Sequence, residues 1–332
     1  MSAHRNSESV AGAGLFDGLF AVVVNWNGEL ADNLRCLASL VADGVPEERI
    51  CVVDNGSDNG SREGIDAAHP RLLRIDNGAN LGFGEAANQG ARLALEHGAR
   101  AVVFINNDLW LPMGEGTLRV LVEALESDPR LGMVGPRVLF PPDEGEGGAT
   151  RVWCAGGRLD FRQNLSTLLG NGQPDGPPWT ETRDVDYIVG CSVLVRREVL
   201  EEVGLFRSRY FAYVEDVELG LRAREAGWGV RVVGAVRAFH APSSATGGGY
   251  GARRKWMQAL NSVHFMREHG TPGGWVSFLA FDVATLLPLI LWRSLRGEGR
   301  PALAKAKGLW DGLRGREVTA EALRPGASRL WP

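Results

Sequence analysis

Small polar and acidic residues gather at three places in this chain, each directly after an apolar run. Val22-Val23-Val24 leads into Asn25-Trp26-Asn27-Gly28, Val52-Val53 into Asp54-Asn55-Gly56-Ser57, and Phe104-Ile105 into Asn106-Asn107-Asp108. Asn, Asp, Gly and Ser dominate turns, so any one of these is ordinary turn chemistry. Three of them at one edge would ring a polar ligand. Farther along, Glu215 and Asp216 stand together ahead of Val217, Leu219 and Leu221. Two readings are open: the acids complement a helix dipole, or one is a general base for an arriving hydroxyl. His240 closes another apolar run. It is either a satisfied structural histidine or, with Asp108, half of an oxygen-plus-imidazole sphere suited to Mn2+ and tolerant of Mg2+.

A fourth stretch, Gly82-Phe83-Gly84-Glu85-Ala86-Ala87, has the G-x-G-x-x-A pattern, and Asp108 follows Ala87 by 21 residues. That spacing imitates a dinucleotide fingerprint and keeps an NAD(P)-dependent oxidoreductase as a rival. Against it, Asp76 to Leu81 separate the pattern from the strand before it, and two earlier strands open the domain.

These residues need elements to position them. Continuous apolar runs predict strands at 19–24, 50–53, 72–75 and 101–105. Helical spacing predicts helices at 29–40, 84–97 and 116–127, with Gly98 just past the second. The alternation implies an α/β domain with a mostly parallel central sheet flanked by helices. In such a sheet ligands bind outside the carboxyl ends of the strands, where the three polar clusters lie. Pro141 to Gly148 and Asn171 to Pro178 read as loops. Between and after them, 153–159, 187–195, 230–233 and 236–240 look strand-like, and 213–224 helical. The expected organisation is a leader over 1–18, a catalytic domain over 19–245 with halves 19–140 and 141–245, and a helical C-terminal extension over 246–332.

Composition agrees with a folded protein of this size. Of 332 residues, 44% are hydrophobic and 23% charged, which excludes whole-chain disorder. The net charge of -4 gives no basic field to attract nucleic acid. Cys36, Cys51, Cys154 and Cys191 form no C-x-x-C pair, so buried reduced thiols are expected. Met1 to Gly18 lacks the apolar core of a signal peptide.

The order of the motifs is more specific than any one of them. Val24-Asn25-Trp26-Asn27, Asp54-Asn55-Gly56-Ser57, Asn80-Leu81-Gly82-Phe83-Gly84, Asn106-Asn107-Asp108, Gly190-Cys191-Ser192 and Glu215-Asp216 resemble the family 2 glycosyltransferases, nearest the rhamnosyltransferase-like branch. His240 near Ser243 and Ser244 resembles that family's closing motif. The resemblance covers residues 20–245 and implies a GT-A type nucleotide-diphospho-sugar transferase fold. It implies inverting transfer from a nucleoside-diphosphate sugar, dTDP or UDP, to a glycan, lipid-linked or small-molecule acceptor. Asp54 would then meet the nucleobase or ribose with Asn25 nearby, and Asn27, Asn80, Gly82, Phe83, Gly84 and Asn107 would line the donor site. Asp108 would hold a metal bridging the diphosphate, and His240 would be a further metal or phosphate contact. Gly190 and Cys191 would border the sugar. Asp216 would be the base, with Glu215 beside it. One departure is visible: many members carry D-x-D at the metal site, and here Asn106 replaces the first acid. A non-catalytic sugar-nucleotide binding module is the remaining rival.

The tail has a different character. Trp275 to Trp292 is almost wholly apolar, with Asp282 its one charge, and Arg293, Arg296 and Arg300 follow, then a basic stretch over 302–316. It is either a helix packed on the protein or an interfacial segment on the inner face of an anionic membrane.

Overall fold

The computed structural model describes residues 16–142, 150–162, 165–241, 251–324 and 326–331. The greater part of the expected leader, the loop from Asp143 to Gly148, and Ser243 and Ser244 lie outside them. Strand β1 (Leu19–Asn25) is followed by helix α1 (Leu30–Ala42), β2 (Ile50–Asp54), α2 (Ser61–Ala68), β3 (Leu73–Asp76), α3 (Phe83–Glu96) and β4 (Ala101–Asn106). β1 pairs in parallel with both β2 and β4, and β2 with β3. This is the βα alternation expected from the apolar runs, with right-handed crossovers favoured by strand twist. Because the register matches Asn25 with Asp54 and Val24 with Asn106, the three polar clusters emerge at one edge.

The chain then adds β5 (Leu109–Trp110), α4 (Thr117–Ser127), β6 (Leu131–Leu139), β7 (Val152–Cys154), β8 (Gly157–Leu159), β9 (Ser166–Leu168), β10 (Arg183–Asp184), β11 (Ser192–Arg196), α5 (Arg197–Glu202), α6 (Glu215–Glu225) and β12 (Gly229–His240). These strands do not build a separate, shorter sheet. All but β8 and β9 join the first four, in the order β10-β12-β6-β11-β4-β1-β2-β3, with β5 on β12 and β7 on β6. The sheet is therefore parallel in its first half and mixed in its second. β11 runs antiparallel between β4 and β6, so its beginning lies at the carboxyl edge of the parallel strands. That direction carries Gly190 and Cys191 to the ligand edge.

Several boundaries differ from the sequence expectation. The stretch 187–195 is strand only from Ser192, and 153–159 breaks into β7 and β8. The two runs over 230–240 form one strand whose register slips between Val233 and Arg237. β6, wholly buried, is not among the expected strands, and it contains Gly132, Gly135 and Pro136, residues uncommon inside a strand. A Cβ on Gly135 would lie 2.5 Å from Ile188, so glycine is required for packing there. Pro136 pairs with Val233 where the β12 register slips, so the missing N–H falls at an irregularity.

The extension holds α7 (Ala252–His269), α8 (Pro272–Phe278), α9 (Leu286–Leu295), α10 (Gly299–Leu313) and α11 (Ala320–Leu323), with a π turn joining α8 to α9 over Leu279–Val283. α7 and α10 pack closely: Trp256, Leu260, Ala304 and Leu309 are buried. The run from Pro272 to Leu295 is long and apolar enough to cross a membrane, and only 17% of its apolar window is buried. No residue of α9 is buried, and Leu287, Leu291, Trp292 and Leu295 are exposed. Phe278 and Asp282 of this run are nonetheless buried, so it packs on the protein over its first half and is exposed over α9. The basic stretch after it is partly paired. Lys305 is buried against Asp282, while Lys307 and Arg316 both pair with Asp311.

Candidate active site

At the end of β1, Asn25 is completely buried. Its amide nitrogen donates to Asp54 Oδ2 (2.8 Å), Ser57 Oγ (3.1 Å) and Ser61 Oγ (3.0 Å), and its oxygen accepts from Asn107 (3.1 Å) and Gly28 N (3.3 Å). Its side chain is enclosed by these partners and lies against Asp54. It ties the ends of β1, β2 and β4 together. Asp54 Oδ1 accepts from Gly56 N and Ser57 N at 3.0 and 2.8 Å. Its Oδ2 takes one bond from Asn25, and a carboxylate oxygen accepts two, so one position is left for a ligand. A cavity of about 300 Å³ between α2 and the strands β2 and β3 reaches Asp54, with Arg62, Ile65, Arg74 and Asp76 on its wall. Asn27, with φ of 51°, accepts from Asp58 N at 2.8 Å and clasps the neighbouring turn. Asn55, which the sequence reading did not select, is the hub of the next turn. It donates to Asn80 and to the Gly82 carbonyl, and it accepts from Asn77 and Leu81 N.

Gly82 has a left-handed φ of 87°, and a Cβ there would lie 2.6 Å from the Phe211 carbonyl oxygen. Phe83 N donates to that same oxygen at 2.6 Å. The glycine turn thus approaches its own chain. The start of α3, where a dinucleotide pyrophosphate would sit, is covered by the 208–213 turn, which removes the oxidoreductase reading of G-x-G-x-x-A. Gly84 packs near Phe206 and Ser208. The ring of Phe83 does reach the site: a Cβ on Gly190 would lie 3.4 Å from it and 3.5 Å from the Asp216 Cβ.

Asp108 and His240, 132 residues apart, meet with Oδ1 and Nε2 at 3.1 Å, both buried. The short β5 brings them together by pairing Leu109 with His240. His240 Nδ1 has no hydrogen-bond partner among the described residues, and Trp153 packs edge-on against the ring. An oxygen and an imidazole nitrogen at this separation fit two adjacent ligands of one divalent cation, with Asn106 supplying no second carboxylate. The other cluster of suitable ligands, Glu218, Glu268 and His269, is an ion-pair network instead. Arg207 and Arg222 both bond Glu218 Oε1, at 2.9 and 2.7 Å, and would repel a cation.

Glu215 and Asp216 start α6 after a strained turn. Phe211, Tyr213 and Val214 all have positive φ, 58°, 69° and 78°. Each such non-glycine residue costs on the order of 1–3 kcal/mol, and a β-branched valine is a genuine outlier. The turn persists because it is held from both sides. Phe83 N bonds Phe211 on one side. On the other, Asn261 of α7 donates to the Tyr210, Ala212 and Tyr213 carbonyls at 2.6, 2.9 and 2.9 Å. Its amide has two N–H groups, so one is shared between carbonyls. Nothing in the pattern around Asn261 singles it out, since its partners lie about 50 residues upstream.

The two acids differ in setting. Asp216 is half-buried, and its oxygens accept from Gly190 N (2.9 Å) and Val217 N (2.8 Å). Burial raises its pKa above the ordinary aspartate value, and those two N–H groups limit the rise. Glu215 is buried, and its Oε2 has no hydrogen-bond partner among the described residues. Burial first, and then the charge of Asp216, push its pKa well above normal. Both carboxyls are thus pushed toward the protonated form, Glu215 by burial and the neighbouring charge, Asp216 by burial against two N–H donors. The Cys191 thiol lies within the fields of both Asp108 and Asp216, and burial holds it neutral. Gly190 therefore brings Phe83 and Asp216 together, and its neighbour Cys191 feels the charges of both Asp216 and Asp108.

Comparison with known proteins now decides the family. Residues 21–204 match Glycosyl transferase family 2, and residues 114–304 match Glycosyl transferase family group 2. The chain belongs to glycosyltransferase family 2. It is 30% identical over 232 residues to the N-acetylglucosaminyl-diphospho-decaprenol L-rhamnosyltransferase of Mycobacterium tuberculosis, covering 64% of this chain and 73% of that protein. It is 26% identical over 231 residues to the low-salt glycan biosynthesis hexosyltransferase Agl10 of Haloferax volcanii, covering 68% of each. Among solved structures, a mannosyltransferase from Pyrobaculum calidifontis in complex with GDP-Man and Mn2+ superposes with a TM-score of 0.54 at 16% identity, over 90% of this chain and 88% of that one. GalNAc-T7 with UDP, GalNAc and Mn2+ gives 0.52 at 15% identity, over 81% and 57%. The glycosyltransferase thus has the GT-A type fold, a mixed α/β sheet with a helical C-terminal region, and resembles the rhamnosyltransferases.

Proposed function

We propose that this glycosyltransferase moves a sugar, L-rhamnose being the first candidate, from dTDP or UDP to a hydroxyl of a lipid-linked glycan acceptor, with inversion at the anomeric carbon. The observation that carries the chemistry is the contrast within Glu215-Asp216. Asp216 is half-buried and oriented by two backbone N–H groups, while Glu215 is buried and receives no such N–H donors from Gly190 and Val217. Asp216 takes the proton of the acceptor hydroxyl as that oxygen attacks the anomeric carbon in one displacement, which inverts the centre. Gly190 and Phe83 leave room for the sugar beside it. Asp54 receives the nucleobase or ribose. Asp108 and His240 would hold a divalent cation, Mg2+ or Mn2+, which when bound neutralises charge on the departing diphosphate. Likeness to the mycobacterial enzyme supports a diphosphate-linked lipid acceptor and a place in cell-envelope polysaccharide synthesis at the cytoplasmic face.

The exposed α9 supports peripheral membrane contact, since a helix apolar all round belongs in a core or in lipid. Cutting the chain before Gly274 would strip α10 from α7, so surface substitutions are the cleaner test. Leu287→Gln, Leu291→Gln and Leu295→Gln together should abolish sedimentation with anionic vesicles; unchanged sedimentation overturns the contact. The donor is tested by a hydrolysis screen across nucleotide sugars, with and without divalent metal. Turnover confined to dTDP or UDP sugars is expected. Calorimetry showing GDP bound at least as tightly as dTDP and UDP would overturn that choice.

A further inference from the structure

Asp216 and the Phe83 ring meet one spot from two sides. A Cβ on Gly190 would lie 3.5 Å from the Asp216 Cβ and 3.4 Å from the ring. The two residues stand in the first turns of different helices, α6 and α3. Their spacing therefore has to be fixed by something that holds both helices.

The segment 203–209, between α5 and α6, makes both attachments. Its Phe206 is buried edge-on against Phe83, with ring centres 5.8 Å apart, and against Phe104 of β4 at 5.0 Å. Asn88 of α3 accepts from Phe206 N (3.0 Å) and donates to the Phe206 carbonyl (2.7 Å). The segment is thus bound to α3. Its attachment to α6 runs through Glu218, two residues after Asp216 and fully buried. Glu218 Oε1 accepts from Arg222 Nε at 2.7 Å and pairs with Arg207 Nε at 2.9 Å, with His269 of α7 at 3.4 Å from the same oxygen. Arg207 belongs to the segment. Arg222 grips it from α6, donating to the carbonyls of Val203 and Leu205, the latter at 2.8 Å.

A carboxylate taken out of water is costly unless it is paired. Here the pairing joins two pieces of chain, because a guanidinium fork bonds a carboxylate and carbonyls at once. We propose that Glu218, acting through Arg207 and Arg222, is a positioning residue. It ties the segment that seats Phe83 to the helix that presents Asp216, and so fixes the gap over Gly190. A misplacement of about 1 Å at the reacting atoms costs on the order of a hundredfold in rate, so such a brace matters without touching substrate. Its effect on turnover rests on the reading of Asp216 as the base; the brace itself does not.

The test compares Glu218→Gln and Phe206→Leu with the wild-type chain. Gln keeps the acceptor at Oε1, and its amide nitrogen falls where Oε2 has no hydrogen-bond partner among the described residues, so charge is lost with little change of shape. Phe206→Leu loosens the other end of the brace without touching a charge. The first readout is hydrogen exchange at the Gly190 amide, which donates to Asp216 at 2.9 Å. It should quicken on the order of tenfold in Glu218→Gln, while Leu81 N, bonded to Asn55 in the nucleotide turn, keeps its rate. The second is transfer turnover per nucleotide-binding site, with sites counted by calorimetry in Mn2+ so that unfolded protein does not enter. It should fall on the order of tenfold in each variant, at unchanged nucleotide affinity. The double variant should fall little further than the worse single one, because both act through one path. Unchanged Gly190 exchange in Glu218→Gln overturns the brace, and equal quickening at Leu81 replaces it with general destabilisation. Quickened exchange at wild-type turnover per site overturns its part in the reaction, as do effects that multiply in the double variant. Should Asp216→Asn keep its turnover, the reading of the base fails, and Gly190 exchange still decides the brace.

Discussion

The two ends of the site are built on opposite plans. At the nucleotide end, Asn25, Asp54, Ser57 and Asn55 have their hydrogen bonds satisfied by one another, and the loops follow directly from the strands. At the catalytic end, three residues sit in left-handed backbone, Glu215 has an oxygen with no hydrogen-bond partner among the described residues, and both carboxylates are pushed toward protonation. The first end is tied locally, by side chains and turn amides that bond one another. The second is held from outside, by Asn261 in the C-terminal extension and by the glycine turn before α3. Binding needs a fixed shape, whereas proton transfer needs a group whose affinity for a proton has been displaced. The extension thus supports the turn that presents Asp216.

If that contrast is right, damage to the two ends should separate. The largest effect is expected from Asp216→Asn, which keeps size and hydrogen bonding but cannot take a proton. Turnover should fall by about 10²–10⁴, with nucleotide affinity unchanged by calorimetry. A variant keeping more than a tenth of wild-type turnover moves the base elsewhere, with Glu215 next in line. Wild-type turnover should also fall with acid at a pH above the usual aspartate value near 4, because burial raises the Asp216 pKa.

The nucleotide end should respond in the opposite sense. Asp54→Ala removes the acceptor of Gly56 N and Ser57 N, and nucleotide affinity should drop on the order of tenfold to a hundredfold. Equal affinities in wild type and variant would show that the turn holds without it. Asn261→Ala comes next. Loss of the clamp should cost roughly tenfold in turnover, at about 1 kcal/mol per lost hydrogen bond. It should also shift the acid limb of the pH profile, while nucleotide binding stays intact. A merely destabilised fold would leave that limb in place.

The smallest effect concerns stability. The Glu215 pKa is raised in the folded state, so its contribution is fully present below its ordinary value and is lost as pH rises toward the folded one. Glu215→Gln removes that loss. Denaturant melts should show the variant gaining stability on wild type as pH rises above the ordinary glutamate value. A constant difference across that range would mean that Glu215 is not protonated in the fold.

Much of this was legible in the residues. Apolar runs of strand length, and helices with apolar faces, are local signals, and they gave β1, β2, β4, α1, α3 and α4 within a residue or two. The polar clusters at strand ends followed from the rule that open sheets bind ligands there. β6 escaped: its glycines and proline are uncommon inside a strand and are licensed only by what packs on them. The direction of the amides escaped as well: Asn25 is an ordinary strand-end residue in sequence, and only the neighbouring strands turn it inward.

The sequence by itself determined the α/β alternation, the order of the motifs and the identity of the acids, because periodicity and spacing are properties of neighbours along the chain. Tertiary structure decided the rest. It placed His240 against Asp108 through a two-residue strand, and it closed the glycine turn over Phe211. It set Asn261 under the turn before α6, left α9 facing outward, and buried Glu215 and Asp216 so that both pKa values rise. Each of these depends on which surfaces meet and how much water they exclude, and no local pattern encodes that.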